Sequence, residues 1–429
     1  MECVTMKEAK RMLLECLEVY LEKGENGYCI PQNKQRPVFI VGPAGIGKTE
    51  LAKQIAEEKG IGFVSYSLTH HTRQSAIGLP ALVEHSQDGK PYKATEYTMS
   101  EIVDSIYQAV NNGQKEGILF VDEINCVSET LSAVLLQFLQ NKCFGPHRIP
   151  EGWVIVTAGN PPEYNKSVKT FDAVTYDRLR VIGIQPDAEA WMEYAAQACV
   201  LPVIIEYIKQ NPSDFYQYEK NAEGIKIVTA RGWEDLSNAM KSNERLGFAV
   251  DLPLIRQFIQ CESIAGSFHN YYMLYQEILN SGIIPKILEK DDFETAVSEV
   301  QDIDFQRRWA LITVLLQSIQ SEAEPIVKQW KERTKADGEL AMLETQINVW
   351  HQKIDHSLEF IRAAFGLGAE MDHYLTMLIR NKKSGYLLAL KQNFFMQEIQ
   401  RQMSRGSDSR DGLRTAINAY MQKGENHGR

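Results

Sequence analysis

The sequence predicts an α/β protein with a three-layer core built on a parallel sheet, followed by a helical lid and an all-α C-terminal extension. Two observations lead to this prediction. Short apolar runs alternate with helical patterns up to about residue 185, as parallel strands and their crossover helices do. From about Ser267 onward every strong pattern has helical periodicity. We therefore expect a core over 1–185, a lid over 186–266 and an extension over 267–429.

The composition is typical of a soluble globular protein with reduced thiols. Of 429 residues, 44% are hydrophobic and 24% are charged, and this length favours two or three domains. The net charge of −10 argues against a broad nucleic-acid-binding surface. The seven cysteines include no Cys-x-x-Cys pair, and no apolar run approaches the roughly 18 residues of a membrane span. Thr5 and Glu8 form a predicted capping box instead of a signal peptide, so we expect a cytoplasmic protein.

The first candidate site is a phosphate-binding loop after the apolar run 37–41. Two glycines separated by four residues and followed by Lys48 and Thr49 fit the phosphate-loop pattern. The glycines let backbone N–H groups converge on one anion, and the next helix presents its positive end. Lys48 can reach the β- and γ-phosphates, and the Thr49 hydroxyl can hold Mg²⁺. The predicted nucleotide-binding residues are Gly42, Pro43, Ala44, Gly45, Ile46, Gly47, Lys48, Thr49 and Glu50.

Two adjacent carboxylates end the next strong strand pattern, 117–121. At the end of a strand the chain is already turning, so neighbouring side chains need not point to opposite faces. Phosphoryl transfer needs one group that positions the metal and another that activates the nucleophile. We predict that Asp122 holds Mg²⁺ together with Thr49 and that Glu123 polarises the attacking water.

Three further polar residues follow predicted elements. The buried-type strand 153–159 has Asn160 at its tip, where the amide can hydrogen-bond to water, to Glu123 or to the γ-phosphate. Arg178 precedes a fifth strand pattern at 181–184, and Arg231 lies at the start of a helix well beyond the sheet.

In this order, these five elements resemble those of the AAA+ ATPases. The resemblance is strongest to the MoxR and dynein-related branch, on residues 159–164, 171–172 with 177–179, and 229–233, and it covers about residues 30–265. One departure is Ala230, where the family usually has Pro before the second-sensor Arg.

The resemblance implies a role for each candidate residue. Lys48 and Thr49 would bind the phosphates of ATP and Mg²⁺, Asp122 would bind Mg²⁺, and Glu123 would be the catalytic base. Asn160 matches the first sensor and Arg231 the second. Arg178 matches the arginine finger that reaches a neighbouring subunit's nucleotide; Arg180 is the alternative finger, although a surface ion pair explains it better.

The implied function is ATP hydrolysis in an oligomeric ring, a hexamer by resemblance, that remodels or activates a protein partner in a chaperone-like way. Relatives often act with partners that contain a von Willebrand A domain. Two alternatives stay open: a nucleic-acid or restriction motor that uses GTP, and a nucleotide-gated scaffold with little turnover. Gly159-Asn160-Pro161-Pro162 counts against the first, and intact Glu123, Asn160 and Arg178 count against the second.

Several other segments have predicted places. Residues 69–80 and then 84–92 follow the phosphate-loop helix, and the position of 84–92 suits the helix-two insertion of the MoxR branch. Residues 141–150 suit a hairpin before the first sensor, and an ordinary connecting loop is the alternative for each segment. From Leu340 to Phe365 apolar residues recur at spacings of three and four, which predicts one long helix with an apolar seam that packs internally or binds a partner. A polar break is expected at 404–411.

Overall fold

The computed structural model describes residues 3–25, 27–67, 78–87, 90–144, 146–164, 168, 170–221, 224–332 and 337–390. Residues 69–77, residues 88–89 of the predicted insertion and the predicted break at 404–411 therefore lie outside the described residues. The chain divides into two compact units, Met1–Asp187 and Ala188–Arg429.

The first unit alternates strands and helices around one sheet. In chain order its elements are β1 (Cys3–Val4), α1 (Met6–Leu21), β2 (Lys23–Gly24), β3 (Gly27–Tyr28), β4 (Val38–Val41), α2 (Lys48–Lys59), β5 (Gly62–Ser67), β6 (Pro80–Gln87), β7 (Lys90–Tyr97), α3 (Glu101–Asn111), β8 (Gly117–Asp122), α4 (Glu129–Asn141), β9 (Cys143–Phe144), β10 (His147–Arg148), β11 (Trp153–Gly159), α5 (Ala173–Tyr176) and β12 (Arg180–Ile184). The capping box at the start of α1 is confirmed, since the Thr5 side chain accepts from the Glu8 backbone N–H and the Glu8 carboxylate accepts from that of Thr5.

The central sheet has six strands in the order β1-β12-β4-β11-β8-β5, and all pairs are parallel. Because the strands are parallel, their carboxyl ends lie along one edge, where open α/β sheets bind ligands. β11 lies between β4 and β8, so the loop after β4 and the end of β8 flank the tip of β11. This strand order positions the candidate site.

Helices cover both faces of the sheet. Alternate strand residues such as Phe39, Leu119 and Ile155 form one buried cluster with apolar residues of α3 and α4. The intervening residues, such as Ile40 and Phe120, are equally buried and point to the opposite face because side chains alternate along a strand. Helices α1 and α2 contact the sheet there. The predicted three-layer α/β fold is confirmed.

Trp153 packs across a row of two glycines in the sheet. Gly62 pairs with Gly117, and Gly117 pairs with Trp153, so the three residues lie side by side on β5, β8 and β11. A Cβ at Gly62 would lie 2.8 Å from the indole, and one at Gly117 would lie 2.7 Å from it. The two glycines therefore leave room for a tryptophan that is 1% exposed.

Three antiparallel hairpins, β2–β3, β6–β7 and β9–β10, interrupt the strand–helix alternation in the described part of this unit. β6 pairs with β7 from Pro80, opposite Tyr97, to Gln87, opposite Lys90. Both strands are largely exposed, and Leu82 is 74% exposed. The two strands lie between α2 and α3 and include the described residues of the predicted insertion, 84–87 and 90–92. β9 and β10 form the expected short hairpin before β11.

The second unit is mostly helical. Its elements are α6 (Ala188–Gln197), α7 (Pro202–Gln210), β13 (Gln217–Asn221), β14 (Gly224–Val228), α8 (Ala230–Leu246), α9 (Leu252–Phe258), α10 (Glu262–Asn280), α11 (Ile283–Leu288), α12 (Phe293–Glu299), α13 (Phe305–Glu332), α14 (Asp337–Phe365), α15 (Ala369–Arg380) and α16 (Lys382–Leu390). The β13–β14 hairpin lies within the segment 186–266, for which the sequence predicted a helical lid.

One hydrophobic core runs through the described part of this unit, from Trp191 in α6 to Leu388 in α16. The aromatic residues of α10, among them Phe268 and Tyr275, are buried in it. The predicted long helix is α14, and its apolar seam packs inward: the Trp350 indole, 1% exposed, donates to the Ile319 carbonyl of α13 at 2.8 Å.

None of the helices described in either unit combines the length and hydrophobicity that crossing a bilayer requires.

Candidate functional site

The loop between β4 and α2 has the backbone shape that a phosphate cradle needs. Gly45 and Gly47 have positive φ values of 73° and 98°, a region that favours glycine. Gly42 has no space for a side chain, since a Cβ there would lie 2.5 Å from Ile184 at the end of β12. α2 then begins at Lys48, so its first N–H groups face the loop. The cradle fits the phosphates of a nucleotide.

Lys48 is held at the centre of this loop. Its ammonium donates to the carbonyl oxygens of Gly42 at 2.9 Å and Pro43 at 2.8 Å, and to Oδ1 of Asn160 at 2.9 Å. The side chain is 8% exposed although it is charged. A buried charge with such partners is already desolvated and oriented, so an anion can replace an oxygen ligand at little cost.

Thr49 and Asp122 meet although 73 positions separate them in the sequence. The Thr49 hydroxyl donates to Oδ2 of Asp122 at 3.2 Å. A hydroxyl and a carboxylate side by side are hard oxygen ligands of the kind that Mg²⁺ prefers. These two residues would therefore fit a magnesium ion.

Glu123 has an unusual backbone conformation. Its φ is 56°, in the left-handed region that residues with a side chain seldom adopt. The Glu123 N–H donates to Oδ1 of Asp122 at 2.9 Å, and the N–H of Cys126 donates to the Glu123 carbonyl at 3.0 Å. The chain therefore turns sharply at the end of β8, which separates the directions of the two neighbouring carboxylates.

Asn125 and Cys126 are two residues of this turn that the sequence analysis missed. The Asn125 carboxamide bonds the backbone of Asn160. Burial raises the pKa of the Cys126 thiol, and the carboxylates of Glu123 and Asp122 raise it further while Lys48 lowers it, so the thiol stays neutral beside the candidate site. The only sequence signal for Asn125 is its position, as a polar residue three places after Asp122 at the end of β8.

The two candidate finger residues differ in their surroundings. Arg180, on β12, is half-buried and lies near Cys16 and Tyr20. Burial raises the pKa of both groups, and the positive charge of Arg180 lowers the pKa of each in part. Arg178 is exposed at the end of α5. Among the two, Arg178 is the side chain that faces solvent.

Arg231 belongs to the second unit. It is exposed in the first turn of α8, whose N-cap Thr229 accepts from the N–H of Gly232 at 3.0 Å. Its relation to the phosphate loop stays a prediction.

Histidine and cysteine side chains form no metal site in the described part of the chain. Over the described ranges, no three His, Cys, Asp or Glu side chains form a group that could hold a metal ion. Cys143 and His147 lie on the β9–β10 hairpin, where His147 Nε2 lies 3.0 Å from the Tyr97 carbonyl oxygen. His70 and His71 lie outside the described residues.

Comparison with protein families matches residues 32–161 to the model described as AAA domain. The matched residues lie within the first unit. The match spans the phosphate loop, the Asp122–Glu123 pair and Asn160, and it agrees with the AAA+ ATPase resemblance; the MoxR and dynein-related branch stays a prediction.

Among solved structures, the chain is similar to the FIGL-1 AAA domain in complex with ADP, with 16% identity and a TM-score of 0.32 over 56% of this chain and 71% of that one. At this TM-score the likeness adds nothing to the family match. No curated protein matches the chain.

Proposed function

We propose that this protein is a MoxR-like AAA+ ATPase of the cytoplasm, which hydrolyses ATP with Mg²⁺ in a hexameric ring and remodels or activates a protein partner. The observation that best supports hydrolysis is the contact of Thr49 with Asp122 at 3.2 Å. It joins the phosphate loop to the acidic strand end, which is the arrangement that metal-assisted phosphoryl transfer requires.

The residues around this contact have separable roles in the proposed reaction. Lys48 exchanges loop carbonyls for β- and γ-phosphate oxygens, and Thr49 with Asp122 would hold Mg²⁺. Bound Mg²⁺ neutralises the charge that develops on the phosphates. Glu123 accepts a proton from the attacking water, and the Asn160 amide orients that water or the γ-phosphate.

Arg178 is proposed to complete the site of a neighbouring subunit. Its exposure supports this role over Arg180, which is half-buried beside Cys16 and Tyr20. Arg231 is proposed to report the γ-phosphate to the helical unit. The exposed hairpin β6–β7, placed where the MoxR branch has an insertion, supports a contact with the partner. A partner with a von Willebrand A domain is proposed from the resemblance alone.

Two substitutions test hydrolysis. Lys48→Ala should abolish ATP binding in an equilibrium titration, because it removes the cation inside the cradle. Glu123→Gln should bind ATP and form a larger species by light scattering, yet turnover should fall by about 10²–10⁴, the usual contribution of a general base.

Matched controls are Lys53→Ala and Glu57→Gln, which change exposed residues of α2. Both should leave ATP affinity and turnover unchanged. Unaltered affinity in Lys48→Ala or unaltered turnover in Glu123→Gln would refute the proposed site.

A further inference from the structure

The turn after β8 brings a buried carboxamide against the tip of β11. Asn125 is 7% exposed and Asn160 is 8% exposed. The turn itself is tied to β11, since the Ile124 N–H donates to the Ala158 carbonyl at 3.0 Å. Asn125 is therefore fixed both by its own chain and by the neighbouring strand.

The Asn125 side chain uses both halves of its carboxamide on the backbone of Asn160. Nδ2 donates to the Asn160 carbonyl oxygen at 2.8 Å, and Oδ1 accepts from the Asn160 N–H at 3.3 Å. A carboxamide supplies this donor and acceptor together, whereas a carboxylate supplies acceptors alone. The packing is close as well, because a Cβ on Gly159 would lie 2.5 Å from Asn125 Oδ1.

This pair links two parts of the site beyond the ends of the paired strands. On one side, Asn160 Oδ1 accepts from the Lys48 ammonium at 2.9 Å. On the other, Asn125 lies two residues after Glu123, in the turn closed by the bond from the Cys126 N–H to the Glu123 carbonyl. Movement of the Asn160 backbone would therefore alter the contact with Lys48 and the turn that aims Glu123.

We propose that Asn125 is a positioning residue, which locks the Asn160 backbone to the Glu123 turn so that both side chains meet the γ-phosphate in one fixed geometry. The inference rests on the proposed ATP hydrolysis. Asn125 acts through Asn160 and touches neither nucleotide nor water in this role. Its loss should affect turnover more than ATP binding, which depends mainly on Lys48 and the loop.

The test compares Asn125→Ala and Asn125→Asp with a matched control, Gln35→Ala, in the full-length protein. Gln35 is also a buried carboxamide that bonds backbone, donating at 3.0 Å to the carbonyls of Tyr20 and Ile30 before β4, at the sheet edge opposite the site. kcat, the ATP dissociation constant and Tm are measured for each variant.

We expect both Asn125 variants to lower kcat by about 10-fold to 100-fold, the loss typical of a misplaced catalytic group, with little change in ATP affinity. Gln35→Ala should lower Tm comparably and leave kcat unchanged. Gly159→Ala, which leaves Asn125 itself intact but pushes against it, should lower kcat in the same way.

A double-mutant cycle with Asn160→Ala identifies the route of the effect. If Asn125 acts by positioning the Asn160 and Glu123 side chains, part of its loss is already present in Asn160→Ala, and the double variant is faster than the product of the two single losses predicts. Multiplying losses, or wild-type kcat in folded Asn125→Ala, would overturn the positioning role and leave ATP hydrolysis in place. If the wild-type protein does not hydrolyse ATP, or if its turnover survives Glu123→Gln, the proposed function is overturned and the positioning role with it.

Discussion

Glu123 stores backbone strain at the point where the proposed chemistry takes place. A residue with a side chain pays roughly 1–2 kcal/mol to adopt the left-handed conformation, and Glu123 adopts it at φ 56°. Glycine would adopt the same conformation freely. A glutamate at this position therefore lowers stability relative to glycine but supplies the carboxylate. Strain at functional sites is usually explained in this way.

This strain predicts an inverted order of stability among variants without the carboxylate. Glu123→Gly should be more stable than Glu123→Ala by about 1 kcal/mol in urea unfolding, because only glycine removes the left-handed penalty. Both should lose ATP turnover.

The control variants are Glu57→Gly and Glu57→Ala on α2, where the backbone is helical. There the glycine variant should be less stable than the alanine variant by about 1 kcal/mol. The same order at Glu123 would mean that its backbone is not left-handed in solution.

Helix α4 ends on a buried lysine. Lys142 is its C-cap, with φ 56°, and its ammonium donates to the Leu139 carbonyl one turn earlier. Burial lowers the pKa of Lys142 to about 7. The short hairpin β9–β10 follows directly, and the Lys142 carbonyl accepts from the Ile149 N–H at 2.9 Å. The element that leads into β11 therefore starts from a group that titrates near neutral pH.

Lys142→Met should stabilise the first unit most at low pH. Since the folded state holds the Lys142 proton more weakly than the unfolded state, the penalty is complete below pH 7, and it declines as pH rises toward the unfolded pKa near 10.5. A gain of a few kcal/mol at pH 6 should shrink toward pH 10 in chemical unfolding.

The exposed Lys53→Met on α2 serves as the control and should show no such pH dependence. A gain for Lys142→Met that is equal at pH 6 and pH 10 would contradict burial of the charge.

At the scale of the whole molecule, each unit has a core of its own. The helical unit includes α14 and α15 in the same hydrophobic cluster as α6 and α7. The helices after residue 337 thus contribute to the stability of this unit, in addition to any partner contact they make.

Trp350→Ala should destabilise the helical unit by about 3–5 kcal/mol, the cost of removing a large buried aromatic side chain. Hydrogen exchange should speed up in α13 and α15, while β4, β8 and β11 of the other unit keep their protection. Met342→Ala, on the same helix but 71% exposed, should change neither. Equal acceleration in both units would show that they unfold as one.

The proposed ring adds a prediction that no single subunit can satisfy. Arg178→Ala should bind ATP but lose about 10³-fold in turnover, as enzymes without their arginine finger do. Mixing Arg178→Ala with Glu123→Gln subunits should restore part of the activity, because some interfaces then pair an intact Arg178 with an intact Glu123. Mixtures no faster than the separate proteins would argue for action in cis or for the absence of mixed rings.

Local patterns were sufficient to predict the core fold and the phosphate loop. Apolar runs that end in Gly42, Asp122 and Asn160 correspond to β4, β8 and β11, since a buried parallel strand needs a continuous apolar stretch. Periodicity also located α14. The β13–β14 hairpin was missed because its alternating polar residues resemble a loop.

Asn125 could not be assigned from its own neighbours. Its role depends on the backbone of Asn160, which lies 35 positions away and is brought close only by the order of the strands. The proposed preference for Arg178 over Arg180 as the arginine finger likewise depends on exposure. The sequence does not reveal this difference, because the two arginines flank a single leucine. Site residues that are defined by tertiary contacts can be recognised only once the order of the strands in the sheet is known.

The glycine row beneath Trp153 has an evolutionary consequence. In a relative with a small residue at position 153, the indole no longer occupies the space above Gly62. The other near neighbour of a Cβ at Gly62 is the flexible end of the Gln114 side chain, at 2.9 Å. Gly117 is different, because a Cβ at that position would also lie 2.8 Å from the carbonyl oxygen of Gly62. Position 62 should therefore vary together with position 153 among homologues, whereas position 117 should stay glycine whatever residue replaces the tryptophan.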